Sequence, residues 1–144
     1  GVPYRRLREE QSNRCKVCGA TLSELTEELD HIIPWRLIGD PSDGSNWRIL
    51  CGPCNRGKSS FVSTLQSNAS MNWIYNDSLE STFLEGKLSD QCRWILLTQA
   101  QSCSVCALGP LETQLTVIPR FRDSLNIADH YFVVCSEHTQ LEDN

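Results

Sequence analysis

Residues 47–59 read Trp-Arg-Ile-Leu-Cys-Gly-Pro-Cys-Asn-Arg-Gly-Lys-Ser, and this stretch decides the fold. Its first four residues form a short, mainly apolar run of the kind that makes a β-strand. Pro53 suits the first turn of a helix, where its missing amide hydrogen would have no partner in any case. The stretch therefore predicts a strand, a cysteine pair and a helix that carries Asn55, Lys58 and Ser59 on one face.

Cysteine pairs separated by two residues recur along the chain, in two sets that each reach the four ligands of a structural zinc site. The first set consists of Cys15, Cys18, Cys51 and Cys54. The second set consists of Cys103, Cys106, Cys135 and His138. Disulfides explain this spacing poorly, and the N-terminus has no apolar signal segment. The sequence thus predicts two structural zinc ions and leaves over only Cys92, as a small core residue.

The segments around the two sets look alike. A shift of 88 residues places Arg5 on Arg93 and Leu7 on Ile95. The same shift places the zinc knuckle Cys15-x-x-Cys18, a turn that offers two metal ligands, on the knuckle Cys103-x-x-Cys106. Further on, residues 32–34 are matched to 117–119, and residues 47–51 to 131–135. The alternative is chance similarity around cysteine pairs. The pattern predicts an α+β unit used twice, in residues 1–65 and 89–144, joined by a Ser- and Asn-rich linker over 66–88. Ser89 is expected to cap the second unit's helix.

The first unit carries a further pattern, which consists of Asp30-His31, a turn-rich loop, Asn46, and Cys51-x-x-Cys54-Asn55-x-x-Lys58. With these residues and the upstream knuckle, the chain resembles the HNH endonuclease family over roughly residues 5–62. The resemblance implies a zinc-stapled ββα-metal unit. In it, a hairpin (strands near 29–33 and 47–50) and a helix hold a catalytic metal on DNA. The second unit would be a degenerate HNH-like copy.

The chemistry of phosphodiester hydrolysis accounts for these residue types. His31 is the candidate general base, because a neutral imidazole can accept a proton near pH 7. Asp30 and Asn55 offer oxygen ligands to one catalytic Mg²⁺ or Mn²⁺; many family members carry His in place of this Asn. Family analogy makes Asn46 the residue that holds the loop orienting His31. Arg56 and Lys58 are candidate phosphate contacts.

One geometric condition follows from the adjacency of Asp30 and His31. Neighbouring residues on a strand point to opposite faces of the sheet. Both side chains can therefore serve one site only if the strand ends or bulges at this point.

The second unit lacks this chemistry. The alignment places Asp30 on Leu115, His31 on Thr116 and Asn55 on Thr139, none of which can act as a general base or a carboxylate ligand. His130, which falls on Asn46, is the one residue left open, as an alternative zinc ligand or a relic base. We expect the second unit to serve folding, DNA contact or assembly.

Charge and hydropathy bound the function. The net charge is −5, with nine Lys/Arg against eight Asp/Glu in residues 1–60 and four against ten in residues 61–144. The acidic balance argues against tight, non-specific DNA binding by this chain alone. No apolar run is long enough to cross a membrane, and a cytoplasmic location is expected. Four arginines near the N-terminus are either part of a solvated helix face or DNA contacts: Arg5, Arg6, Arg8 and Arg14.

These patterns predict a metal-dependent DNA endonuclease of a restriction or anti-phage system. One such site cuts one strand, so a double-strand break would need a homodimer or two events. One alternative is a non-catalytic zinc-knuckle module that binds nucleic acid or protein. Another is a nuclease domain of a larger protein that supplies target recognition, which Gly1 in place of Met would fit. Trp35 and Trp47 are expected to pack in the hairpin rather than stack on bases.

Overall fold

A computed structural model describes residues 2–23, 27–33, 44–66, 88–120 and 130–139. Within them the chain forms three helices and two antiparallel hairpins, each hairpin a separate two-stranded sheet. Residues 67–87 of the predicted linker, and Trp35, lie outside the described residues. The elements are α1 (Val2–Glu10), β1 (Glu28–His31), β2 (Trp47–Leu50), α2 (Gly52–Gln66), α3 (Asp90–Ala100), β3 (Leu115–Pro119) and β4 (Tyr131–Cys135).

The first hairpin pairs β1 with β2, with Asp30 opposite Arg48 and His31 opposite Trp47. Strand β2 has the predicted bounds, whereas β1 ends at His31 and not at Ile33. It ends there because the Asn46 side chain takes over both backbone groups of Ile33, accepting from its N–H at 2.9 Å and donating to its carbonyl at 2.7 Å. The strand thus stops directly after the Asp-His pair.

The helix starts follow local capping. Ser89 is the N-cap of α3, as predicted, and its hydroxyl accepts a hydrogen bond from the Cys92 amide at 3.1 Å. Helix α2 begins at Gly52, one residue before Pro53. Cys92 is buried in the core, as its apolar character predicted.

The two knuckles have the same backbone hydrogen bonds. Cys15 N–H donates to the Ala20 carbonyl at 2.8 Å, and Cys103 N–H donates to the Leu108 carbonyl at 2.8 Å. Each knuckle then turns through a residue with positive φ, Gly19 (77°) in the first and Ala107 (66°) in the second. The structure therefore contains one unit twice, as the 88-residue shift predicted.

The structural repeat corrects part of the sequence alignment. Val117 faces Val133 in the second hairpin as Leu29 faces Ile49 in the first, so the 88-residue shift continues through β1 and β3. The match of residues 32–34 to 117–119 is therefore wrong by three positions. The two apolar-apolar-proline triplets are alike in sequence, but the strand pairing follows the constant shift of 88 residues. Asp30 corresponds to Ile118 and His31 to Pro119, and neither replacement can ionise.

The last part of the repeat is unaffected by this correction. The loop of the second hairpin is four residues shorter, so β2 and β4 are related by a shift of 84. His130 then falls on Asn46, as predicted. Its carbonyl accepts from Arg120 N–H as the Asn46 carbonyl accepts from Ile32 N–H.

Buried side chains from both units form one continuous core. Helix α2 of the first unit packs closely on α3 of the second at Gly57, where a Cβ would lie 2.2 Å from the Asp90 carbonyl oxygen. Leu115 N–H of β3 donates to the Cys18 carbonyl of the first knuckle. None of the described helices is long and apolar enough to span a membrane.

Candidate active site and zinc centres

The first ligand set converges beneath the first hairpin. Its four sulfurs lie within 4.8 Å of one another and are buried, and Cys18 Sγ is 3.6 Å from Cys51 Sγ. Sulfurs bound about 2.3 Å from a tetrahedral zinc ion lie roughly 3.8 Å apart. The spacing therefore fits a structural Zn²⁺.

The second set converges in the same way but is less deeply buried. Cys106 Sγ is 3.7 Å from Cys135 Sγ, and His138 offers Nδ1 at 3.1 Å from Cys135 Sγ and 3.8 Å from Cys103 Sγ. His138 and not His130 belongs to this cluster. The geometry fits a second zinc with three sulfur ligands and one nitrogen ligand.

The first set also shows the electrostatic demand for a cation. Hydrogen bonding with Cys15 lowers the pKa of Cys18 and raises the pKa of Cys54. Four buried thiols so close together cannot all ionise without a neutralising charge. A divalent cation at their centre would allow all four to bind as thiolates.

Asp30 lies between two cations at the end of β1. Lys58 of α2 donates to both of its carboxylate oxygens at 2.8 Å, and Arg48 of β2 donates through Nε to Oδ2 at 2.9 Å. The Lys58 ammonium also donates to the His31 carbonyl. The carboxylate is only 11% exposed, so its ion pairs are shielded from solvent.

His31 is the last residue of β1 and follows Asp30 directly. Its ring is half-buried and meets Trp47 edge-on, with ring centroids 6.1 Å apart. The geometric condition set by the sequence is met in part, because β1 ends at this residue and Asn46 fixes the turn that follows. The Asn46 contacts agree with the loop-holding role that the resemblance implies, and that role stays a prediction.

Asn55 lies on the face of α2 that covers β1. Its amide donates to the carboxylate of Glu28, which the sequence pattern alone did not indicate as a site residue. Glu28 and Asp30 are two residues apart on one strand and therefore share a face. That spacing was the available signal for Glu28.

The remaining predicted contacts have local partners. Arg56 forms an exposed ion pair with Asp90, at 3.0 Å. Arg8 binds the almost fully buried carboxylate of Glu27 at 2.5 Å, and Arg14 donates to the Gly19 carbonyl at 2.8 Å. Two of the four early arginines thus hold the fold, while Arg5 and Arg6 lie exposed on α1.

Comparison with known proteins gives a family match within the first unit. Residues 15–61 match the model of the HNH endonuclease family. Comparison with curated proteins and with solved structures gives no significant match. The segment from the first knuckle into α2 is similar to the HNH endonuclease family, and its four-cysteine cluster is consistent with the zinc-knuckle subtype.

Proposed function

We propose that this chain hydrolyses phosphodiester bonds in DNA, with the active site in the first unit. The observation that carries the proposal is the packing of α2 along β1. Lys58 contacts Asp30, and Asn55 contacts Glu28 two residues away. The candidate ligands Asp30 and Asn55 therefore lie on facing surfaces next to the candidate base, His31.

The residues fit a hard divalent cation. Carboxylate and amide oxygens are the donors that Mg²⁺ and Mn²⁺ prefer. The Asp30 oxygens already hold two positively charged groups. Asn55 donates to Glu28 through Nδ2, so Oδ1 is the amide atom able to face a cation. When bound, the ion would stabilise the charge that develops on the phosphate and on the leaving oxygen.

The chain's own residues would supply the proton transfer and the positioning. His31 accepts the proton of the attacking water through a ring nitrogen as the water oxygen bonds to phosphorus. The bond from phosphorus to the 3′ oxygen then breaks, that oxygen takes up a proton from a solvent water, and His31 returns its proton to solvent after the product leaves. Asn46 keeps the turn after His31 in place through its two bonds to Ile33. Lys58 leaves Asp30 and contacts the scissile phosphate instead. Arg56 contacts the neighbouring phosphate of the DNA strand.

The test is cleavage of supercoiled plasmid, with and without base modification, in Mg²⁺ or Mn²⁺. His31→Ala should lower the rate at least about a hundredfold, since general-base catalysis contributes roughly 10²–10⁴. The matched pair is Asn55→Ala, expected to lose activity, and Thr139→Ala at the equivalent exposed position of the second unit, expected to retain it. Cleavage by His31→Ala close to the wild-type rate would disprove the assignment.

A non-catalytic zinc-knuckle module is the rival, and one observation favours it. Lys58 and Arg48 together engage both oxygens of Asp30, as in a structural ion-pair network. In that case the chain should bind DNA or a protein without cleaving plasmid under any metal condition. The same cleavage assay therefore distinguishes the endonuclease from the non-catalytic binding module.

The biological setting belongs to the same proposal. The proposed setting is restriction or anti-phage defence, and the acidic net charge indicates that the chain would need help in finding DNA. That help would come from a homodimer or from a larger recognition protein. A cytoplasmic location would keep the zinc-binding thiols reduced.

A further inference from the structure

Arg48 links the candidate metal ligand to the second unit. Its Nε donates to Asp30 Oδ2 at 2.9 Å, and its guanidinium carbon lies 5.2 Å from the centre of the Trp94 ring. The Arg48 side chain is 17% exposed. A guanidinium that is stacked on an indole and largely shielded from water has fewer orientations open to it. Trp94 thereby limits the positions that Arg48, and through it Asp30, can adopt.

Trp94 is itself firmly held. It lies on α3 and is 6% exposed. Helix α2 comes so near that a Cβ on Gly57 would lie 2.7 Å from the Trp94 Cβ. The ring therefore has little freedom to move with Arg48, and a rigid surface of the second unit supports the first unit's carboxylate.

We propose that Trp94 and Arg48 are positioning residues for Asp30, and that the second unit is thereby a working part of the metal site. The inference rests on the proposed function, because it takes Asp30 as a ligand of the catalytic cation. It assigns to the degenerate unit a task beyond folding, DNA contact or assembly.

The expected direction of the change in metal affinity follows from the loss of restraint on Arg48, because the charge near the cation stays the same. Replacing Trp94 leaves Arg48, Lys58 and Asp30 in place, so the net charge beside the cation does not change. Near the cation, the change is that Arg48 loses its restraint, and Asp30 then samples orientations that do not bind metal; the two-zinc requirement of the assay excludes variants whose core packing has failed. Metal affinity should therefore fall rather than rise.

The experiment measures Mn²⁺ binding by electron paramagnetic resonance, on protein that retains two zinc ions per chain. All proteins carry His31→Ala, so the readout does not depend on cleavage. Trp94→Leu should weaken Mn²⁺ binding about threefold to tenfold, the range expected for a partly desolvated cation–π contact. Trp94→Phe, which keeps an aromatic ring, should restore most of the affinity.

The matched control is Phe132→Leu. Phe132 lies 4.9 Å from the Arg120 guanidinium, the second arginine–aromatic stack among the described residues, and Arg120 has no part in the proposed site. This variant should leave Mn²⁺ affinity unchanged. If Trp94→Leu loses zinc, Arg48→Lys serves in its place, because it keeps the charge and removes the planar group; it should weaken binding by a similar factor.

The outcomes separate this inference from the proposed function. If Asp30→Ala binds Mn²⁺ as tightly as its parent, the metal site itself is wrong and the inference falls with it. If Asp30→Ala loses binding while Trp94→Leu and Arg48→Lys keep it, only the positioning role is overturned. Weaker binding in the two variants with an unchanged Phe132→Leu supports the inference.

Discussion

Arg93 shows how one residue of the second unit serves the first zinc centre. Its Nη1 donates to Cys54 Sγ at 3.4 Å. Burial alone would lower the pKa of Arg93, but its interactions with Cys54 and Cys18 raise it. Four thiolates around one Zn²⁺ carry a net negative charge, which the guanidinium partly offsets. Residues that contact metal ligands in this way commonly influence metal affinity.

We predict that Arg93→Met releases zinc from the first site more readily, with about a tenfold loss of affinity. Arg5→Met is the matched control, because Arg5 occupies the equivalent place on α1 and is exposed. The measurement is competition with a coloured chelator. Equal zinc release from the two variants would show that the sulfur contact of Arg93 has no influence on the site.

At the scale of elements, the contact between α2 and α3 depends on a glycine. Gly57 lets the backbone of α3 approach so closely that any side chain would overlap it. Trp94, on the same helix α3, lies with its ring centre 5.2 Å from the guanidinium of Arg48 on β2. The packing of two helices from different units thus determines the surroundings of Asp30.

Gly57→Ala should destabilise the protein by about 1–3 kcal/mol, because the added methyl must displace backbone. Gly109→Ala is the control, since its Cβ would meet only the Gln101 carbonyl oxygen, at an ordinary 3.6 Å. Thermal unfolding of the two variants checks the prediction. Equal unfolding temperatures for the two variants would mean that the close contact between α2 and α3 does not contribute to stability.

At the scale of the whole molecule, the two zinc sites and one shared core should form a single cooperative system. Zinc binding in small modules is worth about 10–16 kcal/mol, comparable to or above the stability of a whole domain. Core side chains of both units are in one cluster, so loss of either zinc should weaken both units.

We therefore predict two zinc ions per chain by elemental analysis and unfolding by a strong chelator. Brief treatment with EDTA, too short to remove thiolate-bound zinc, should stop cleavage without unfolding, and Mg²⁺ or Mn²⁺ should restore it. Circular dichroism follows the fold while the plasmid assay follows activity. A folded protein with one zinc or none would refute the two-centre structure.

Local sequence determined the zinc ligands, the helix starts and the hairpins. The two-residue spacing marked each knuckle, and Ser89 marked the start of α3, because these signals act between residues close together in the chain. The bounds of β1 were less well predicted. Asn46 ends that strand through a side-chain contact across 13 positions, which no pattern of hydropathy records.

Tertiary structure alone decided how the units meet. The sequence by itself predicted a repeated unit and a degenerate second copy, but not that α3 packs on α2 or that Trp94 supports Arg48. Such contacts depend on the shapes of the packed side chains and on the close approach of Gly57 to Trp94, which are 37 positions apart in the chain. Spacing along the chain carries the chemistry of the ligands, whereas the position of Asp30 depends on side chains that only folding brings together.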